Sequence, residues 1–593
     1  MLRESNLWSV VVSASDAGDA DLYGFRVAGS SSASRRDSRF DPRKFLLDPD
    51  ATQVWFPPGH DRQSAKTSGA DTQGRSPMGV LRRINALPAL PPGPRHAGCE
   101  LVIYELHVRG ATMSAPHVPA ELRGTFAGLI HHVSYISSLG VTAVELLPVH
   151  QGDPQEGSYW GYMPLAWSAL HHSLVAGDDP EAEFRQMVEA FHGEGIEVLL
   201  DVVYNHTTEE DAAGPVYHLR GIDDTSYYLV DEDGSYVDDA GCGNVVRAAH
   251  PGARALIMAS LRRFADLGVD GFRFDLASLL GRDIHGNVQR KSALIDEITT
   301  FAVTRGLRLI SEPWDLRSYQ LGDGFAGRTW AQWNGAFRDD IRSFVRGEDG
   351  MAHKLALRLD ASPDLFGGDA GRSINFVTAH DGFTLCDLVS YESKHNEANG
   401  HGNDDGSNDN RSWNCGVEGD PDDAGLDPDE SDLIRLLRAQ QMRNMLCLLL
   451  FSRGTPMLLA GDEFAHTQHG NNNAYNQDNE TTWLDWQRAE SFNDLTEFVR
   501  SAIDLRVHGG DGPISVYGTE GEADLSFSSH SLAWSWGDLY VMANAWWEPL
   551  NFVAQEPGEW AIELNTGDDA VFVANGVWFV PARTTVVLRR VAP

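Results

Sequence analysis

From residue 101 onward the chain repeats one pattern: a short apolar run that ends in polar residues, followed by a segment with helical spacing. The runs are VIYELHV (102–108), TAVELLPV (142–149), EVLLDVVYNH (197–206), GVDGFRFDLA (268–277), LRLISEPW (307–314), INFVTAHD (374–381) and GTPMLLAGDE (454–463). Apolar strands that alternate with amphipathic helices specify parallel β/α architecture. The helical period is clearest in DPEAEFRQMVEAFHGEG, where Phe184, Met187, Val188 and Phe191 fall on one face. Asp179-Pro180 starts that helix, and Gly193 and Gly195 end it. With a weaker eighth strand near TWAQWNGAF (329–337), the pattern predicts an α/β fold, a (β/α)8 TIM barrel with long insertions.

The rest of the chain is organised differently, and 593 residues exceed what one core usually supports. WSVVVSA, LYGFRV and KFLLDP read as strands of a small, incomplete β module, followed by linker composition at 59–97. After about residue 510, SFSSHSLAWSWG, LYVMANAWW, WAIELNT and TTVVLRRV read as antiparallel strands. The expected division is a partial N-terminal β-sandwich with linker (1–97), the barrel (98–509) and a C-terminal β-sandwich (510–593). Two tracts inside the barrel, 208–250 and 394–432, are rich in Asp, Gly and Asn, too long for ordinary connections, and expected to be functional loops.

Charge narrows the ligand. Against 85 acidic residues stand 47 Lys and Arg, a net −38 that repels nucleic acid and anionic membrane and suits a neutral ligand. The acidity also serves plain solubility. Sixteen tryptophans supply flat apolar rings of the kind that stack on sugars, although such rings equally serve a core. Five scattered cysteines without close pairs fit a reducing compartment, and the N-terminal segment lacks an uninterrupted apolar signal core. MLCLLLF (445–451) is too short to span a bilayer and reads as buried helix or strand. A cytoplasmic location is expected.

In a barrel of this kind chemistry sits at the C-terminal ends of the strands. There the runs present Asp201, Asn205 and His206, then Arg273 and Asp275, then Glu312, then His380 and Asp381. Any one of these clusters fits an ordinary strand-to-loop cap; four together do not. Arg273 precedes Asp275 by two residues, so both point to one face and the cation favours an ionised carboxylate. Adjacent strands can bring two carboxyls to about 5 Å, one ionised to attack and one protonated to release a leaving oxygen. Asn205 beside a strand end lacks the oxygen cluster that calcium requires, so neither a metal nor another cofactor is expected.

The segments DVVYNH (201–206), GFRFDLA (271–277), SEPWD (311–315) and TAHD (378–381) resemble, in order, the four sequence regions of the α-amylase family. That resemblance implies Asp275 as nucleophile, Glu312 as general acid/base and Asp381 as third carboxylate. It also implies that Arg273, Asp201, His206 and His380 shape the sugar site. Tyr162 in YWGYMP (159–164) is the candidate ring beneath the sugar. YELHVRGAT (104–112), GCGN (241–244), VSYESKHNEANG (389–400), SWNCGVEG (412–419) and GNNNAYNQDNETTWLDW (470–486) are similar to bacterial glycogen debranching enzymes and isoamylases. The similarity implies hydrolysis of α-1,6 branches of glycogen or limit dextrin, with the polysaccharide as partner. YGFRV (23–27) and RFDPRKFLLDP (39–49) match only the later part of that family's glycogen-binding-like module. An α-1,4-acting amylase or glucanotransferase on the same scaffold remains the alternative, and a catalytically silent glucan-binding protein the third reading. The Asn, Asp and Trp residues of 208–250, 394–432 and 466–486 are expected to read sugar hydroxyls and linkage.

Overall fold

The computed structural model describes residues 2–4, 7–29, 40–81 and 90–591. Arg39, which opens RFDPRKFLLDP, and residues 82–89 of the expected linker lie outside the described residues. Eight parallel strands close into a barrel: β1 (Ile103–Leu106), β2 (Ala143–Leu146), β3 (Glu197–Val202), β4 (Gly271–Phe274), β5 (Arg308–Ser311), β6 (Ala331–Trp333), β7 (Ser373–Phe376) and β8 (Thr455–Leu459). Each pairs with its successor, and β8 returns to β1 through Met457 opposite Ile103. The weak eighth strand is real: three residues of β6 bridge β5 and β7, with Trp333 opposite Ile374.

Strand parity separates two cores and creates the site. On the outer face Val102, Tyr104, Val144, Val198, Leu200, Phe272 and Phe274 pack against the helices. Inside, Ile103, Ala143, Leu199, Ile310, Ile374 and Met457 form an apolar floor. Moving two residues toward the C-terminal end keeps a side chain on the inner face. That step leads from Ile103 to Glu105, from Ala143 to Glu145, from Leu199 to Asp201 and from Ile310 to Glu312. A polar layer therefore lies directly above the apolar one.

Helix α1 (Pro180–Gly193) follows the expected spacing, with Phe184, Met187, Val188 and Phe191 fully buried and Asp179 capping the amide of Ala182. MLCLLLF is the buried end of helix Pro428–Leu450. Among the described residues no helix is long and apolar enough to cross a membrane.

The N-terminal part carries a three-stranded sheet of Leu22–Tyr23, Val54–Trp55 and Met78–Val80. KFLLDP is not a regular strand; Leu46 makes only an isolated bridge to Phe25, while the amide of Leu47 donates to the carbonyl of Tyr217. The backbone that a sheet would use is spent docking onto the first long insertion. Arg62 extends this docking from one helix to Asp153, Thr208 and Glu210. At the other end a five-stranded antiparallel sheet faces a three-stranded one across Ala533, Tyr540, Met542, Phe552, Trp578, Val580 and Val586.

Candidate active site

Arg273 organises the polar layer. Its side chain is 1% exposed, and one guanidinium reaches three carboxyls: Nη1 donates to Asp201 Oδ2 at 2.7 Å and approaches Asp275 Oδ1 at 3.5 Å, while Nη2 donates to Glu312 Oε2 at 3.0 Å. The planar fork lets a single cation serve several strands. Trp333 from β6 lies under it, with the guanidinium carbon 4.0 Å from the ring centroid.

Asp275 follows β4 and Glu312 follows β5. Asp275 is oriented from its other side by Asn205, whose Nδ2 donates to the carboxylate at 2.7 Å and to the Asp275 carbonyl at 2.8 Å. Asn205 is thus a positioning group for the carboxylate, using a donor that a metal would not need. The next residue, Leu276, adopts a left-handed conformation, φ 39°, ψ 49°. That turn aims its amide at Glu312 Oε2, 3.0 Å away. A branched side chain in this region is unfavourable, so the surrounding structure holds it there.

Burial pushes the Glu312 carboxyl up to about 8; Arg273 opposes the rise, and the negative charges of Asp275 and Asp381 reinforce it. Desolvation by the protein around Asp381 opposes its ionisation, yet the cations His380, Arg338 and Arg273 outweigh it and hold this carboxyl below the usual range. Asp381 is nonetheless exposed to solvent. The arrangement therefore separates a carboxyl kept protonated at neutral pH from one kept ionised.

His380 lies between Glu105 and Tyr162. Its Nδ1 is 2.7 Å from Glu105 Oε1, and its amide donates to Glu105 Oε2 at 2.9 Å. Burial pulls its pKa down most strongly of any one cause, but the charge and hydrogen bond of Glu105, together with the charge of Asp381, outweigh it and raise it to about 9. Tyr162 stacks on the His380 ring at 4.9 Å and 21°, and its hydroxyl donates to Asp201 Oδ2 at 2.5 Å. Burial raises the Asp201 carboxyl to about 6 despite the Arg273 cation. His206 uses both ring nitrogens within the protein, one on Asn205 Oδ1 and the other on the Tyr162 carbonyl, 2.5 Å away. All eight candidate residues thus meet around one cleft, joined through Arg273, Tyr162 and His380.

Sequence reasoning missed Glu105, Glu145 and Trp160. Glu105 and Glu145 are opposite one another on β1 and β2, and burial keeps Glu145 well above the usual carboxylate range. A charged residue at an inward position of an apolar strand was the available signal for both. Trp160 packs its ring edge-on to His380 at 5.0 Å.

At four loop asparagines the expectation that they read sugar hydroxyls needs correction. Asn396, Asn399, Asn471 and Asn472 are buried and spend their amides on each other and on neighbouring loop groups: Asn396 on Asn472, Asn471 on Asn399, and Asn472 on Asn410. They fasten 394–432 to 466–486. A buried primary amide must be satisfied, and here the partners are protein.

The α-amylase catalytic-domain family model matches residues 67–232. The GlgX homologue of Mycobacterium tuberculosis, described as a glycogen operon protein, is 46% identical over 515 residues, covering 82% of this chain and 70% of that protein. The glycogen debranching enzyme of Klebsiella pneumoniae is 38% identical over 630 residues, covering 99% and 92%. Among solved structures, the apo pullulanase of Paenibacillus barengoltzii superposes with a TM-score of 0.69 at 22% identity, covering 92% of this chain and 83% of that one, a likeness of fold. The barrel, the carboxyl cluster and these long matches lead to one conclusion: the chain belongs to the glycogen debranching enzyme family of α-amylase-type glycoside hydrolases.

Proposed function

We propose that the protein is a retaining hydrolase of the α-1,6 branch linkages of glycogen or limit dextrin, releasing short maltooligosaccharides. One observation carries the chemistry: Arg273 gathers Asp275 and Glu312 while their surroundings leave Glu312 protonated. Asp275 attacks the anomeric carbon as Glu312 gives its proton to the departing glycosidic oxygen. Glu312, now ionised, then takes a proton from water, and that water releases the sugar from Asp275 with net retention. Asp381, Asp201 and His380 hold ring hydroxyls, and Tyr162 lies beneath the ring. The linkage preference rests on the long matches to debranching relatives. A neutral polysaccharide partner in the cytoplasm is consistent with the net charge of −38.

The assignment has a direct test in paired digests. Limit dextrin should yield short linear chains with a rising iodine colour, while linear amylose stays nearly intact. Rapid shortening of amylose under the same conditions would instead favour the α-1,4-acting amylase or transferase.

The pH dependence follows from two groups. Glu312 must carry its proton, so kcat/KM should fall as pH rises through about 8. His380 stays cationic through that range because Glu105 supports it. Glu105→Gln removes the larger support and leaves only Asp381 against the downward pull of burial and of Arg273, so the His380 pKa should fall and its cationic form be depleted. A charge-assisted hydrogen bond of about 1.5–3 kcal/mol is lost, which predicts a roughly ten- to hundredfold lower kcat. Part of that loss should return at acid pH. An unchanged rate and profile in Glu105→Gln would contradict the arrangement.

A further inference from the structure

We infer that the protein carries a second α-glucan binding site, away from the cleft, on an aromatic platform at the seam between the barrel and the C-terminal sheet. The inference takes its ligand class from the function proposed above. Trp546 and Trp547 follow strand Leu539–Asn544 and stack on one another, ring centroids 3.5 Å apart. Trp546 is half-buried, whereas Trp547 is 55% exposed although one face is covered by its neighbour. Phe527, 73% exposed, belongs to the same surface. Its carbonyl accepts from the Gly350 amide at 2.6 Å, and the adjacent Asp349 carboxylate lies 3.2 Å from His530 Nε2. His530 in turn packs on Trp546 at 5.0 Å and on Trp547 at 5.9 Å.

The platform is built, not left over. Asn544, itself buried, accepts from the Trp546 amide at 2.9 Å and donates to the carbonyls of Glu548 and Pro581. The Arg583 amide donates to the Trp546 carbonyl at 2.9 Å, and the Ala545 amide to the His530 carbonyl at 2.9 Å. A double tryptophan held this firmly with its outer ring in water has no packing reason to be exposed. Flat rings bordered by a carboxylate, Asp349, with the backbone fixed beforehand, suit a neutral sugar ring: apolar face on indole, hydroxyls on carboxylate. The acidic surface disfavours an anionic ligand.

The platform is remote from catalysis. Helix α2 (Gly335–Arg346) starts where β6 ends, beside the cleft, and its 12 residues run away from it before Asp349 is reached. At ~1.5 Å per residue that is about 18 Å. A polymer long enough to touch both places gains from a raised effective concentration at the cleft; a short oligosaccharide does not.

The test uses the full-length chain and Trp547→Ala, with Trp547→Phe as the control that keeps a flat ring. In native gels containing soluble amylose, Trp547→Ala should be retarded about three- to tenfold less than wild type, the worth of one stacked ring, and Trp547→Phe close to wild type. KM for glycogen should rise by a similar factor with kcat unchanged. KM for a branched oligosaccharide too short to span both sites should stay constant. Equal retardation and equal glycogen KM in Trp547→Ala would overturn the proposal, as would an equal KM rise on the short substrate. So would gel filtration showing that the substitution splits a dimer while leaving retardation unchanged, because the occupant would then be a second copy of the chain. If the wild type cleaves no branched glucan but loses retardation on Trp547→Ala, the function proposed above fails while this site stands.

Discussion

Asp275→Asn should reduce turnover of branched α-glucan by roughly four to six orders of magnitude, the scale on which loss of a covalent nucleophile acts. Glu312→Gln should cost roughly two to four orders, the contribution of a general acid. The two losses have different signatures. An α-maltosyl fluoride has a leaving group that needs no proton, so Glu312→Gln should still release fluoride from it and accumulate the glycosyl-enzyme. Asp275→Asn should not react with it at all. Both substitutions are nearly isosteric. In Asp275→Asn the new amide oxygen would still accept from Asn205, and the left-handed Leu276 turn does not depend on the charge of either side chain. Circular dichroism should therefore match wild type. Near-wild-type turnover in a folded Asp275→Asn variant would remove the mechanism.

Arg273 is the second position with a large expected effect, on stability as well as rate. Its removal as Arg273→Met leaves Asp201, Glu312 and Asp275 buried without their shared cation, and breaking such a buried network typically costs about 3–5 kcal/mol. Denaturant melts should show an unfolding free energy lower by that amount, with activity lost. Arg273→Lys separates charge from geometry. An ammonium keeps the positive charge but lacks the fork that reaches Asp201 and Glu312 together, so the variant should stay folded and lose roughly a hundredfold or more in kcat. Equal behaviour of the Lys and Met variants would show that the fork is not what organises the cleft.

The fold was legible where periodicity was strong. Apolar runs and helical faces mark all eight barrel strands, even the three residues of β6, because inner and outer faces are both buried and both must be apolar near the floor. The same parity makes Arg273, Asp275, Asp201 and Glu312 conspicuous, since a charge on an inward position has no structural excuse. Glu105 and Glu145 obey that rule too and were passed over because they sit inside the runs and not at their ends. Contacts between distant segments were not legible. The pairing of His380 with Glu105 spans 275 residues, and Asn472 meets Asn396 from 76 residues away. Composition and the family resemblance lent those asparagines the look of hydroxyl readers, and only the loop packing reveals that they bind each other. The C-terminal strand Phe572–Ala574 was missed because its side chains are exposed, and Leu550–Val553 because Phe552 is its one fully buried residue and no clean alternation shows.

One measurement reaches bond and mechanism together: proton NMR of limit dextrin during the first minutes of digestion by the wild-type protein. The α-1,6 anomeric signal should fall while the α-1,4 signal holds its intensity, and the new reducing ends should appear first as the α-anomer, before mutarotation. Early loss of α-1,4 intensity, or reducing ends that appear first as the β-anomer, would contradict a retaining debranching hydrolase.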